Sequence, residues 1–283
     1  MYFEGEIIRS RQNKNVVELC RLSDRRAREA ARLFRFDGIK LLEEAVKKEL
    51  EVTAIFVRAS ETEKIGAELV KRCGKGVFDR FGRTLVIADE IFDRISEEKS
   101  PEGVISIAKY IDKFQKNVTI YNSADFLNEK KQRIVLLESV RDPSNIGAII
   151  RSAAAMGVER LIVSADCADI YNARAVRASM GTLFDQRIDR VADLPAAIEA
   201  LKAGGRRVFA AALDSDAMVL GQFDLQEGDC VVIGNEGHGI SEKTRAACSH
   251  SVIIPMSSRA ESFNAAVAAS LLMWEFSKKS ANR

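Results

Sequence analysis

Residues 133–157 read "RIVLLESVRDPSNIGAIIRSAAAMG", and the way this stretch divides decides the fold. "RIVLLESV" (133–140) is a continuous apolar run of the kind given by a strand buried on both faces. Asp142-Pro143-Ser144 is turn chemistry, and Asn145 reads as the N-cap of a helix that begins at Ile146. Ile146, Ile149, Ile150 and Ala153 repeat at the spacing of one buried helix face, and Gly157 stands where a C-cap belongs. The stretch is therefore strand, sharp turn, helix. Asn145 and Arg151 fall around the turn, at the edge where α/β sheets bind ligands. In a helix of small and branched apolar residues, Arg151 has two readings: a packing arginine at the surface, or a cation kept for a substrate.

The same alternation continues toward the C-terminus. "RLIVSA" (160–165), "RVFAAAL" (207–213), "DCVVI" (229–233) and "HSVIIPM" (250–256) read as strands. "NARAVRASMG" (172–181), "DLPAAIEALKAGG" (193–205), "EKTRAACS" (242–249, capped by Ser241) and "ESFNAAVAASLLMWEFSKK" (261–279) read as helices. Strands that alternate with helices imply an α/β domain with a parallel sheet and helices on both faces. Residues 38–108 alternate too, through "GIKLLEEAVKKEL", "VTAIFVRA", "TEKIGAELVKRC" and "TLVIADEIFDRIS" and into "GVISIAKYI", as a smaller α/β/α layer domain. The polar stretch 113–132 lacks sustained periodicity and separates the two. The expected organisation is 1–112, a linker over 113–132, and 133–283. A chain of 283 residues suits two domains.

The net charge of +2 is too small to identify a nucleic-acid partner. A local excess carries more: residues 1–36 hold Arg9, Arg11, Lys14, Arg21, Arg25, Arg26, Arg28, Arg32 and Arg35 against five acids. Arginine is the side chain best suited to phosphate contacts, although a solvated helix face with pairs such as Arg25–Glu29 explains the same pattern. The cysteines (Cys20, Cys73, Cys167, Cys230, Cys248) are scattered with no CxxC, and His238 and His250 are the only histidines. That spacing supplies neither a disulfide framework nor a metal site and fits a reducing cytoplasm. "MYFEGEIIRS" lacks a signal-peptide layout, and the longest apolar run, "AAVAASLLMW" (265–274), is too short for a bilayer. The expectation is a cytoplasmic protein with no metal.

Two further loops stand beside the first. "GNEGHGIS" (234–241) follows an apolar strand and leaves backbone amides open to a ligand, but it has neither dinucleotide-fingerprint nor P-loop spacing. "IPMSSRAESFN" (254–264) joins a strand to the last helix, where Ser258-x-x-Glu261 fits a capping box and puts Ser262 and Asn264 in the first turn. "NAAVAASLLMWEF" is apolar nearly all round and has to be covered by its own domain or by a second copy.

The trio "DPSNIGAIIRSAAAMG", "VVIGNEGHGIS" and "IIPMSSRAESFNAAVAAS", in this order, resembles the SpoU/TrmH family of SPOUT methyltransferases over about residues 133–280. "SRQNKNVVEL", "FDGIKLLEEAV" and "SPEGVISIAKY" resemble, more weakly, the L30e-like substrate-binding domain common in that family. The resemblance implies transfer of a methyl group from S-adenosylmethionine to a ribose 2′-hydroxyl in RNA, a C-terminal trefoil knot, and a homodimer formed through the C-terminal domain. It also implies catalytic roles for Asn145, Arg151, Glu236, Ser262 and Asn264, and cofactor contacts at Gly234, Asn235, Ile254, Met256 and Phe263. The family's usual Ser-Leu-Asn is Ser-Phe-Asn here, which enlarges one apolar side chain and keeps both polar groups. The family assigns the base role to the motif arginine. A free guanidinium has a pKa of about 12.5 or more, so neutralising one near pH 7 costs roughly 7 kcal/mol. A charged Arg151 that binds the adjacent phosphate and stabilises the developing alkoxide is the cheaper role. The arginine-rich start tilts the substrate toward ribosomal over transfer RNA. A non-catalytic RNA-binding assembly factor on the same scaffold is the alternative.

Overall fold

The structure, a computed structural model, describes residues 2–3, 5–111, 132–259 and 261–278. The linker expected at 113–132 lies, except for Gln132, outside the described residues. Two compact units form: Met1–Ile111 with Asp169–Asp185, and Asp112–Ala168 with Gln186–Arg283.

The first unit contains α1 (Lys14–Arg21), α2 (Arg25–Ala31), β1 (Leu33–Asp37), α3 (Ile39–Lys47), β2 (Val52–Arg58), α4 (Thr62–Cys73), β3 (Thr84–Ile87), α5 (Asp89–Ile95) and β4 (Val104–Lys109). Its sheet runs β1-β4-β2-β3, with β4 antiparallel to both neighbours and β2 parallel to β3. Val16 and Leu19 of α1 and Phe92 of α5 bury against Phe56, Ile105 and Ile107. The arginine cluster divides. Arg28 and Arg35 are buried: Arg28 donates to the Leu22 and Ser23 carbonyls and pairs with Asp169 at 2.7 Å, and Arg35 pairs with Asp37 at 3.0 Å. Arg25 pairs with Glu29 four residues on. Arg9, Arg11, Lys14, Arg21 and Arg26 are exposed, and their side chains have no hydrogen-bond or ion-pair partner among the described residues.

One stretch departs from the expected boundary. Asp169–Asp185, which includes α7 (Ala173–Ser179), belongs to the first unit although it follows residue 133. Tyr171 stacks on Tyr110 at 3.9 Å, and Phe184 lies 5.5 Å from Phe36. Large rings at these two positions bury better beside β1 and β4 than in solvent, and that burial draws the stretch across.

The second unit contains β5 (Ile134–Leu137), α6 (Pro143–Ala155), β6 (Arg160–Ser164), β7 (Arg187–Val191), α8 (Leu194–Ala203), β8 (Val208–Ala211), β9 (Met218–Val219), β10 (Cys230–Ile233), α9 (Glu242–Ala247), β11 (His250–Ile253) and α10 (Ala265–Lys278). All seven strands are parallel, in the order β7-β6-β5-β10-β8-β11-β9. Strand β7 and short β9 have no counterpart in the sequence reading. Leu194, Ile198 and Leu201 of α8 and Ala247 of α9 cover one face, against Leu136, Ile162 and Val232. Helices α6 and α10 pack on each other over the opposite face, and Ile146, Ile149, Ile150 and Ala153 are all buried as their spacing required. The late strands β10 and β11 insert between strands formed earlier in the chain, so the carboxyl ends of β5, β8, β10 and β11 share one edge.

Arg160 and Asp189 form an ion pair across β6 and β7, each side chain 3% exposed. Removing one member of a buried pair leaves the other charged and uncompensated, at a cost of about 3–5 kcal/mol. Asp189→Ala is therefore expected to lower the urea-unfolding free energy by that amount, while Arg25→Ala at the exposed pair leaves it nearly unchanged. Equal, small losses in both variants would contradict the buried-pair assignment.

Candidate active site

Beyond β5, Ser139 adopts a left-handed backbone (φ +54°), and the chain turns into α6. Asp142, and not Asn145, caps that helix: its Oδ1 accepts from the amides of Ser144 (2.6 Å) and Asn145 (3.2 Å), with Pro143 at the first helical position. The helix thus starts three residues before the expected Ile146. Capping by Asp142 leaves the Asn145 side chain free to reach across loops. Its Nδ2 donates to Glu236 Oε1 at 2.8 Å, and its Oδ1 accepts from Asn264 Nδ2 at 3.0 Å.

A similar correction applies at the last helix. The expected Ser258/Glu261 capping box does not start it; α10 begins at Ala265, and Asn264 is the cap. Asn264 Oδ1 accepts from the amides of Ala266 (2.9 Å) and Val267 (3.3 Å). Ser262 and Asn264 precede the first turn instead of lying in it, and Ser262 is exposed.

The glycine loop closes on itself. Asn235 and Gly239 exchange backbone hydrogen bonds at 2.9 Å, and a Cβ at Gly234 would meet the Gly239 backbone at 2.3 Å. Asn235 Nδ2 donates to the Ser139 carbonyl at 2.8 Å, while its Oδ1 accepts from the amides of Gly237 and His238. Ser241 caps α9 as expected. Glu138 anchors that end, accepting from the Ser241 amide (2.8 Å), the Ser241 hydroxyl (2.7 Å) and the Thr244 hydroxyl. Between these anchors the Glu236 carboxylate accepts from Asn145 and, at longer range, from the amides of Arg141 (3.3 Å) and Asp142 (3.4 Å). Partial burial opposes the Glu236 charge, but the Asn145 and backbone donors together outweigh it and hold the carboxyl below the ordinary carboxylate range.

A cavity of about 440 Å³ opens at the carboxyl ends of β8, β10 and β11, within the size range of small-molecule sites. Gly234, Asn235, Ile254, Met256 and Phe263 all line it, as do Glu236 and Ser262. Asn145 and Asn264 are not among the lining residues and connect to the wall through the Asn145 hydrogen bond to Glu236 and the start of α10 at Ala265. Arg151 is exposed on α6, outside the cavity lining, with no hydrogen-bond or ion-pair partner among the described residues. Glu138, Asp214 and Arg245 went unnoticed in the sequence; the signal for Asp214 was its place beyond the carboxyl end of β8 on the same sheet edge. No metal-holding cluster of three His, Cys, Asp or Glu occurs among the described residues.

Residues 132–274 match the SpoU rRNA Methylase family, and residues 13–106 match the MRM3-like substrate binding domain. The chain is 25% identical over 267 residues to the 23S rRNA (guanosine(2553)-2′-O)-methyltransferase RlmP of Bacillus subtilis, covering 94% of this chain and 97% of that protein. It is 38% identical over 146 residues to a 23S rRNA (uridine(2479)-2′-O)-methyltransferase of Streptomyces viridochromogenes, a match spanning 50% of each chain. The crystal structure of the SpoU methyltransferase AviRb from Streptomyces viridochromogenes, in complex with AdoMet, superposes with a TM-score of 0.78 at 26% identity, over 95% of this chain and 99% of that one. An AdoMet-bound rRNA methyltransferase from Sinorhizobium meliloti shares the fold, with a TM-score of 0.77 at 24% identity over 95% and 96% of the two chains.

Because the folded Glu236 pKa is depressed, its stabilising contribution is present above the unfolded carboxyl value and is lost as pH falls through the folded one. Glu236→Gln removes the charge at every pH. The stability gap between wild type and this variant, read by urea unfolding, is expected to be largest near pH 7 and to close in the acid range. A gap that is constant from pH 7 to pH 3 would show that the charge is not what the hydrogen bonds hold.

Proposed function

The chain belongs to the SpoU rRNA Methylase family, and on that premise we propose that it transfers the methyl group of S-adenosylmethionine to a ribose 2′-hydroxyl in structured RNA, ribosomal RNA before transfer RNA. The observation that carries this reading is the chain of hydrogen bonds Asn264–Asn145–Glu236 along the edge of the cavity, which joins all three loops. A protein that only bound RNA would have no use for a cofactor-sized cavity tied to that chain. The ribosomal preference is supported by the names of the relatives from Bacillus and Streptomyces.

The residues present fit the cofactor: the wall combines apolar Ile254, Met256 and Phe263 with the backbone of a glycine loop. When bound, S-adenosylmethionine supplies an already activated methyl on a sulfonium, ready for in-line displacement. The chain's own work is positioning and charge. Glu236, Asn145 and Asn264 fix the loops against one another, and Ser262 presents its hydroxyl at the cavity wall. Arg151 keeps its charge, grips the phosphate next to the target ribose and stabilises the alkoxide as the hydroxyl loses its proton. The exposed Arg9, Arg11, Lys14, Arg21 and Arg26 supply further phosphate contacts.

A homodimer completes the reading. Ala148 and Met156 of the α6 region and Ala266, Val267, Leu271 and Trp274 of α10 line an apolar groove, with Val267 46% and Trp274 54% exposed. Exposed apolar surface of this kind marks an interface. Arg151 lies one helical turn from Ala148, so a second copy seated on the groove meets it. The trefoil knot belongs to the same reading, supported by the insertion of β10 and β11 between earlier strands. A cytoplasmic location belongs to the same reading, following from the proposed ribosomal RNA substrate; separately, no helix among the described residues is long and apolar enough to cross a membrane.

Arg151→Ala is expected to lower methyl transfer about 10²–10³-fold while S-adenosylmethionine affinity, measured by calorimetry, stays unchanged. Arg151→Lys should recover part of the rate with no climb toward pH 10; a rate that rises there would assign the base role instead. Full activity in Arg151→Ala would overturn both roles. Trp274→Glu with Val267→Glu should convert a dimer to a monomer by light scattering at micromolar concentration, and a monomeric wild type would remove the two-copy reading.

A further inference from the structure

Four side chains on the cavity wall belong to the charged residue types: Asp214, Glu236, Arg245 and Glu261. Glu236 is already held by Asn145 and two backbone amides. Arg245 is the one lysine or arginine among the lining residues. S-adenosylmethionine ends in an amino-acid group with a free carboxylate, and a carboxylate that leaves water needs a cation or hydrogen-bond donors to replace its hydration. Resting on the cofactor proposed above, we infer that Arg245, oriented by Asp214, binds the carboxylate at the amino-acid end of S-adenosylmethionine.

The local geometry builds this site from two elements. Arg245 projects from α9, and its Nη1 donates to Asp214 Oδ1 in the loop beyond β8. The other Asp214 oxygen accepts from the Ser251 hydroxyl, at the start of β11. Asp214 is 17% exposed and so is fixed by its surroundings, while Arg245 remains 42% exposed. A guanidinium carries five N–H donors in a rigid fork. Only Nη1 is used, so Nε and Nη2 have no other hydrogen-bond partner among the described residues. An arginine can bridge two carboxylates in this way, one from the protein and one from the ligand. Asp214 sets the direction of the fork and is a positioning residue; Arg245 makes the contact. The apolar remainder of the wall, Ile254, Met256 and Phe263, suits the adenosine part of the same molecule.

Calorimetry on the full chain with two probes separates the parts of the ligand. S-adenosylhomocysteine keeps the amino-acid end, and 5′-methylthioadenosine lacks it. Arg245→Gln is expected to weaken S-adenosylhomocysteine about 10–100-fold and to leave 5′-methylthioadenosine within about twofold of wild type. Asp214→Asn should show a smaller loss on S-adenosylhomocysteine alone. Arg245→Lys, which keeps the charge without the fork, should fall between wild type and Arg245→Gln and serves where the neutral variant fails to fold. Equal losses on both probes would assign Arg245 a structural role and overturn the inference, as would an unchanged S-adenosylhomocysteine affinity. A folded wild type that binds neither probe would overturn the cofactor assignment itself, and this contact with it.

Discussion

The Glu236 carboxylate accepts from the Asn145 side chain and faces the amides of Arg141 and Asp142, and Asn145 in turn accepts from Asn264. Asn145, Glu236 and Asn264 each follow a different strand, β5, β10 and β11, of one parallel sheet. The glycine loop is closed by its own Asn235–Gly239 pairing and the first segment by the start of α6, but the side-chain hydrogen bonds between the three segments are what tie them to one another. Glu138 and Asn235 do the same work at either end of the glycine loop, through Ser241, Thr244 and the Ser139 carbonyl. Glu236 and Asn264 are exposed and Asn145 is half-buried, so these bonds act by shared geometry, several from different strands meeting at one carboxylate, and not by burial.

The arginines show how the chain separates structure from chemistry. Arg28, Arg35 and Arg160 are buried against Asp169, Asp37 and Asp189, and their charge is spent inside each unit. Arg151 stands exposed and without a partner among the described residues, on the helix whose first turn carries Asn145. Arg245 is held through one nitrogen only. An exposed guanidinium with donors to spare is suited to transient contact with an anion, whereas a fully paired one is not.

Much of this was legible in the sequence, and the failures have physical causes. The apolar runs and helical spacings located most of the strands and the buried face of α6, because burial on a parallel sheet leaves a strong trace, while β1, β7 and short β9, which lack a long apolar run, were missed. All five residues expected at the cofactor line the cavity, a placement the family resemblance supplied and periodicity did not. The two caps were misread for one reason. Asp142 and Asn145 are both good caps, and Ser258 and Asn264 are too, so local propensity did not separate them. The choice was made by tertiary contacts, which take up the Asn145 side chain at Glu236 and anchor Asn264 beside it. The same holds for Asp169–Asp185, whose aromatic rings find their partners more than sixty residues upstream along the chain. Long-range ring burial leaves no local signal. Nor does an ion pair such as Arg245–Asp214, formed between residues 31 apart.

The position of the transferred methyl group tests the central claim most directly. A methyl on a ribose 2′-oxygen removes the hydroxyl that alkali needs to cleave the neighbouring phosphodiester. Full-length protein is incubated with ribosomal RNA and S-adenosylmethionine labelled in the methyl group, and the RNA is then hydrolysed completely in alkali. Label recovered in alkali-resistant dinucleotides is the expected result and places the methyl on ribose. Label recovered in mononucleotides would place it on a base, and an RNA left unlabelled by a folded, cofactor-binding protein would contradict methyl transfer to ribosomal RNA altogether.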